Sequence, residues 1–81
     1  MFELTDDEIE ATFRLLREAK TMLDERYRPD GYNVGWNCRP VAGQSIPHAH
    51  MHVIPRFDDE PYAGRGMRWW IKQPENRRPG R

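Results

Sequence analysis

Along the first third of the chain, apolar residues fall at Ile9, Phe13, Leu16, Leu23 and Tyr27. These offsets match a 3.6-residue period, and Leu15, Ala19 and Met22 widen the stripe. Glu10, Arg14, Arg17, Glu18 and Asp24 occupy the opposite, solvated face. Thr5-Asp6-Asp7-Glu8 opens the run as a capping box, in which Thr5 and Glu8 satisfy each other's free amides. The acids of this first turn also suit the positive end of the helix dipole. Pro29-Asp30-Gly31 then stops the helix and turns the chain. The pattern predicts a helix over about residues 5–27 whose apolar face needs a second layer.

The period then changes to two. Tyr32, Val34, Trp36 and Cys38 alternate with Asn33, Gly35 and Asn37, as in a strand with one buried face. A loop from Arg39 to Ser45 follows, containing Pro40 and Gly43. In the next alternating run Ala49, Met51 and Val53 share one face, and His48, His50 and His52 share the other. Strands are therefore expected over about 31–38 and 47–55, with Met67-Arg68-Trp69-Trp70-Ile71 as a short edge segment. The chain shows no internal repeat. The fold class that emerges is α+β, one long helix packed on an antiparallel sheet. Two strands are few, because a lone hairpin is marginal in water.

Size makes that shortage acute. The sequence has 81 residues, 37% apolar and 32% charged, with seven prolines and six glycines. A chain this short buries only about 60% of its unfolded surface, and small domains usually add a disulfide, a structural metal or a partner chain. Cys38 is the single cysteine, which excludes an intrachain disulfide and cysteine-based zinc fingers. Alternation places it on the apolar face, which favours an inert buried thiol over a redox one. Met22 and Met51 read as core filler. No apolar run reaches the ~18 residues of a membrane span. The acidic N-terminus does not resemble a signal or transit peptide, so the expectation is a soluble, cytoplasmic chain.

Formal charge is zero, yet unevenly spread. Residues 1–30 carry nine acids and five bases, and residues 31–81 carry four acids and eight bases. A basic second half can attract a phosphorylated ligand, whereas the balance gives no support for a nucleic-acid-binding domain. Arg77, Arg78 and Arg81 belong to a Pro/Gly-rich tail over 74–81 that reads as flexible.

All three histidines of the chain lie at 48, 50 and 52. On a strand, side chains two residues apart share a face about 6.6 Å apart, and His48 and His52 would be about 13 Å apart at their backbones. A chance polar stripe is one reading. A zinc site is a second, although three histidines on one straight strand have difficulty converging at about 2.0–2.1 Å. The third is catalysis: imidazole can be neutral in one ring and protonated in its neighbour. A neutral ring can attack phosphorus to form a phosphoramidate, and a protonated one can stabilise phosphoryl charge or protonate the leaving group. Asn37, Gln44 and Ser45 add uncharged donors on the same side, a set that suits an anionic phosphate.

His48-Ala49-His50-Met51-His52-Val53-Ile54 resembles the signature of the histidine triad (HIT) family, His-φ-His-φ-His-φ-φ, with φ apolar. Ala42-Gly43-Gln44-Ser45, the Gly31–Asn37 strand, the preceding helix, Ile54-Pro55-Arg56 and Arg65-Gly66-Met67-Arg68-Trp69 are also similar to the family's, in its order. Within it, the likeness is to bacterial proteins of the dinucleoside polyphosphate hydrolase kind, and it covers residues 4–72. The corresponding unit is a partial HIT domain over 1–73.

The resemblance implies hydrolysis or transfer at a nucleotide α-phosphate through a nucleotidyl-histidine intermediate. Substrates would be dinucleoside polyphosphates or nucleoside phosphoramidates. By position, His50 resembles the nucleophile, His52 a phosphate contact and His48 a supporting member. Gln44 and Ser45 resemble the pair at the scissile phosphate and leaving group, and Asn37 a phosphate-binding amide. The resemblance further implies a homodimer and no metal at the triad. No cofactor is needed for the histidine chemistry, although a divalent metal can accompany the substrate phosphates. Two departures stand out. Arg39-Pro40 replaces a glycine often found after the strand, beside the phosphates. The chain also begins where the family's long helix begins, so the usual N-terminal strands and ribose and base pocket are absent from these 81 residues.

Two function classes follow: a nucleotide hydrolase or transferase, and a truncated, non-catalytic remnant that binds nucleotide or protein. Trp69-Trp70 reads as packing or a dimer contact, with stacking on a purine as the alternative. Arg65 or Arg68 are candidates to reach a phosphate tail.

Overall fold

The computed structural model describes residues 1–45 and 48–77. Helix α1 spans Asp6–Tyr27 and is followed by strand β1, Gly31–Gly35, and strand β2, His52–Arg56. A five-residue helix α2, Met67–Ile71, comes last, and single 3₁₀ turns lie at Pro40–Ala42 and Pro74–Asn76.

Local chemistry accounts for α1. The Thr5 amide donates to Glu8 Oε1 at 2.8 Å, and the Glu8 amide donates to Thr5 Oγ1 at 3.2 Å. These bonds hold the Glu8 carboxyl below its ordinary value, the bond from the Thr5 backbone contributing most. Ion pairs Glu10–Arg14 at 2.9 Å and Lys20–Asp24 at 2.8 Å brace the solvated face. At the C-terminus Arg28 turns left-handed, φ 48°, and its amide donates to the Asp24 carbonyl.

β1 and β2 form one antiparallel ladder, with Gly31 opposite Arg56, Asn33 opposite Ile54 and Gly35 opposite His52. Residues directly opposite share a face. One face therefore carries Asn33, Ile54, His52 and Arg56, and the other carries Tyr32, Val34, Val53 and Pro55. The Asp30 amide donating to the Arg56 carbonyl, and the Asp58 amide donating to Asp30 Oδ2, close the far end.

The ladder is shorter than the expected strands at 31–38 and 47–55. Continuing its register would set Asn37 opposite His50 and Arg39 opposite His48. The ladder instead stops at Gly35, and beyond it Arg39 takes φ 71° and Pro40 has no amide to contribute, so the pairing does not resume. His48 and His50 thus precede β2, and only His52 lies in it. The expected first residue of the second strand, 47, and the tail residues 78–81 lie outside the described residues. The segment expected at an edge, around Met67–Ile71, is the helix α2.

α1 meets the apolar face of the ladder through few contacts. Phe13 and Trp36 meet edge-to-face at 6.2 Å, and Tyr32 Oη donates to Asp24 Oδ1 at 2.7 Å. Ile9, Leu16, Ala19 and Leu23 are half-buried, whereas Phe13, Leu15, Met22 and Tyr27 of the expected stripe remain exposed. No described residue is buried. The radius of gyration is 15.3 Å, against about 12 Å for a compact chain of this length. Accessible surface is 7364 Å², against about 5,100 Å² for a folded monomer of this mass. The layers are present, and the core between them is open. Met22 and Met51, expected as core filler, are exposed and half-buried, and Cys38 is half-buried.

The Tyr32–Asp24 bond is the shortest polar link from helix to sheet among the described residues. Partial desolvation, followed by the hydrogen bond to Asp24 and its charge, pushes the Tyr32 phenol up to about 12. Lys20, and after it Tyr32, hold the Asp24 carboxyl below its ordinary value. The raised phenol stabilises the fold below its ordinary value, and that stability is lost as pH rises through about 12. The lowered carboxyl stabilises it above the ordinary carboxylate value, and that stability is lost as pH falls through its folded value. An absorbance titration should show one of the three tyrosines ionising near 12. Asp24→Asn should bring that midpoint part of the way back toward 10, since the desolvation remains. A midpoint unmoved by the substitution would mean that the tether does not form.

Candidate active site

The histidine cluster assembles where the ladder ends. His52 is the first residue of β2, paired with the last residue of β1, and shares its face with Asn33. The rings of His50 and His52 meet edge-to-face, centroids 4.8 Å apart. Both are half-buried, whereas His48 is exposed.

What His48 contributes is its backbone. His50 Nδ1 lies 2.8 Å from the His48 carbonyl oxygen. A carbonyl can only accept, so this bond requires the proton on Nδ1. In the neutral ring, Nε2 then keeps its lone pair free. Gln44 donates from Nε2 to the same His48 carbonyl at 3.5 Å, and its Oε1 accepts from the Arg39 amide. The carboxamide thus fastens the start of the loop to the start of the triad. Asn37 lies against the same turn: a Cβ added at Gly43 would sit 3.4 Å from Asn37 Nδ2. Gly43 itself adopts φ 94°, which a side chain would strain. Ser45 is exposed. Among the described residues, no three His, Cys, Asp or Glu side chains are placed to hold a metal ion.

A groove of about 490 Å³ adjoins the cluster. Its floor is the polar face of the ladder, with Asn33, His52, Ile54 and Arg56. Arg65, Met67 and Trp70 line it from the segment beyond β2. Of the residues singled out for phosphate chemistry, His52 and Asn37 reach this groove; His48, His50, Gln44 and Ser45 do not line it.

Arg56 builds the far side. Its guanidinium pairs with Glu60 through Nε and donates to Asn33 Oδ1, to the Arg65 carbonyl at 3.1 Å and to the Tyr62 carbonyl at 2.9 Å. One half-buried cation so pins the 57–66 segment to the ladder. Asn33 and Arg56 escape a reading based on alternation, because that reading gives a residue's face and not its partners. The Ile54-Pro55-Arg56 exit was the available signal.

An α+β scaffold with clustered imidazoles at the open end of a hairpin defines the class of protein. The chain belongs to the HIT domain family, whose model matches residues 1–59. It is 38% identical over 55 residues to a bis(5'-adenosyl)-triphosphatase of Saccharomyces cerevisiae, covering 68% of this chain and 27% of that one. It is 34% identical over 77 residues to an uncharacterized 16.1 kDa HIT-like protein of Mycoplasma pneumoniae, covering 94% of this chain and 51% of that one. It is 32% identical over 54 residues to an asymmetrical bis(5'-nucleosyl)-tetraphosphatase of Schizosaccharomyces pombe, covering 67% of this chain and 30% of that one. The chain therefore spans between a quarter and about half of these relatives' length. No solved structure matches it significantly.

The departure expected at Arg39-Pro40 falls on an unusual backbone. With φ 71° and ψ 157°, Arg39 occupies a region open essentially to glycine, at a cost of about 1–3 kcal/mol. Arg39→Gly should stabilise the chain by about 1 kcal/mol once the greater freedom of unfolded glycine is set against that relief. Thermal melts check this. Arg39→Ala, which keeps the strain and loses the charge, should show no such gain; an equal gain from both variants would contradict the strained loop.

Proposed function

We propose that the chain is a nucleotide hydrolase or transferase acting at an α-phosphate through a nucleotidyl-histidine intermediate on His50. The observation that carries this reading is the His50 Nδ1 bond to the His48 carbonyl. It holds the proton on one nitrogen and leaves Nε2 as the nucleophile. Nε2 attacks phosphorus, an N–P bond forms, and the bond from phosphorus to the leaving group breaks. The leaving group departs with the electron pair and takes up a proton. Water then attacks the phosphorus, the N–P bond breaks, and the nucleoside monophosphate leaves with neutral His50 restored; another acceptor in place of water gives transfer.

The remaining residues act around this exchange. His52, its ring against that of His50, donates to the phosphoryl oxygens as charge builds on them. His48 contributes the carbonyl that orients His50, and Gln44 steadies that carbonyl. Asn37 offers an amide to the phosphate, and Ser45 a hydroxyl at the leaving group. Dinucleoside polyphosphates and nucleoside phosphoramidates both present such a phosphorus. The names of two relatives, a bis(5'-adenosyl)-triphosphatase and a bis(5'-nucleosyl)-tetraphosphatase, support the first. Any divalent cation arrives with the substrate phosphates. The reading includes a cytoplasmic location and a homodimer, the dimer supported by apolar residues left uncovered on both layers, Phe13 and Val34 among them. Among the described residues no helix is long and apolar enough to cross a membrane.

A second reading, a nucleotide- or protein-binding module without turnover, is favoured by the open core. Hydrolysis of a fluorogenic adenosine phosphoramidate separates the two. His50→Ala should lower kcat/KM by about a thousandfold or more while the helical circular dichroism signal persists. Turnover unchanged in that variant would sink the assignment of His50. AMP binding by the unsubstituted chain with no turnover would leave the binding module.

A further inference from the structure

The groove beside His52 is built from materials that phosphate chemistry alone does not call for. Trp70 lines it and is 51% exposed. Its indole is held edge-to-face by Trp69 at 4.6 Å and by Tyr62 at 5.4 Å, so two contacts fix the ring while half of its surface stays open. Ile54 and Met67, both exposed, add apolar surface to the same cleft. Arg65 lies beside them, with its guanidinium 4.3 Å from the Trp69 ring centre and 5.4 Å from that of Tyr62. Stacked between aromatic rings, it makes no ion pair among the described residues, in contrast to Arg56 with Glu60. A volume of about 490 Å³ lies within the range of small-molecule sites. The cleft therefore offers an aromatic face, apolar flanks and an uncompensated cation, a set that recognises a planar base joined to phosphate.

Position gives the direction of the ligand. The groove reaches His52 and stops short of His50. In-line displacement sends the leaving group out on the side of phosphorus away from the attacking nitrogen. We infer that this groove holds the leaving half of a dinucleoside polyphosphate, Trp70 stacking on its nucleobase and Arg65 meeting its phosphate chain. The inference rests on the proposed attack by His50 and adds a subsite for the group that the attack expels. Arg56 is the positioning residue of this subsite, because its bonds to the Arg65 and Tyr62 carbonyls set the wall that carries both side chains.

Calorimetric titration tests the subsite independently of turnover. AMP and diadenosine tetraphosphate are titrated into the His50→Ala protein, where the ligands persist, with and without Trp70→Ala or Trp70→Phe. Trp70→Ala should weaken diadenosine tetraphosphate by about tenfold or more and leave AMP unchanged, and Trp70→Phe should retain most of the affinity. Arg65→Gln should reduce the salt dependence of diadenosine tetraphosphate binding alone. Equal weakening of both ligands by Trp70→Ala would place the first nucleoside here and overturn the inference, as would no weakening of either. Diadenosine tetraphosphate binding no tighter than AMP would overturn it too. The adenosine phosphoramidate, whose leaving group is too small to use the groove, reports separately on His50. Loss of that activity's dependence on His50 is failure of the chemistry, and the titrations alone decide the subsite.

Discussion

Five antiparallel residue pairs between β1 and β2 are the principal grip that separate parts of this chain have on one another. Every group with a proposed chemical role is referenced to that ladder. His52 occupies its last rung opposite Gly35, and His50 is held against His52 one step beyond it. At the other end Arg56 pairs with Gly31 and sends its guanidinium back across Asn33 into the following segment. Because side chains alternate along a strand, both ends of the ladder present their polar groups to one face. A slip of one residue would turn His52 and Arg56 to the helix side together and dismantle the site at both ends.

Where the ladder stops matters as much as where it runs. A strand continued through His48 would spread three imidazoles over about 13 Å of one face, with no reason for any ring to differ from its neighbours. Ending the ladder at Gly35 and His52 makes them different. The freed backbone lets the His48 carbonyl turn onto His50 Nδ1 and lets Gln44 reach the same oxygen. Strain at Arg39 and the left-handed turn at Gly43 are the local cost of that loop, and the hydrogen bond that orients the His50 ring through Nδ1 is what the loop secures.

This division explains what could be read from the residues alone. The capping box, the helix span and the face shared by Asn33 and His52 depend on neighbours a few positions apart, and periodicity reveals them. The end of the ladder was hidden, because alternation through His48, His50 and His52 is also what a longer strand would show. The histidine motif supplied the candidate site, and the likeness to a family supplied the roles. Neither contained the Gln44–His48–His50 chain of bonds, which depends on the loop conformation. The half-buried stripe of α1 is narrower than the apolar stripe for a different reason. Hydrophobicity marks a face that can be covered, and burial also requires something to cover it, so Phe13, Leu15 and Met22 remain exposed here.

Chemistry and selectivity consequently rest on different foundations. The bonds that orient His50 span two and four residues of sequence, so they can form with little help from the rest of the fold. The groove gathers Asn33 and His52 from one face of the ladder and Arg65 and Trp70 from the segment beyond it, and Arg56 ties that wall to the floor. Local contacts survive partial opening of a structure better than those that join distant segments. A chain whose described residues bury no core is close to such opening. The proposed nucleophile is therefore the more robust part of the site, and the proposed discrimination among leaving groups is the part that depends on the ladder and Arg56 staying intact.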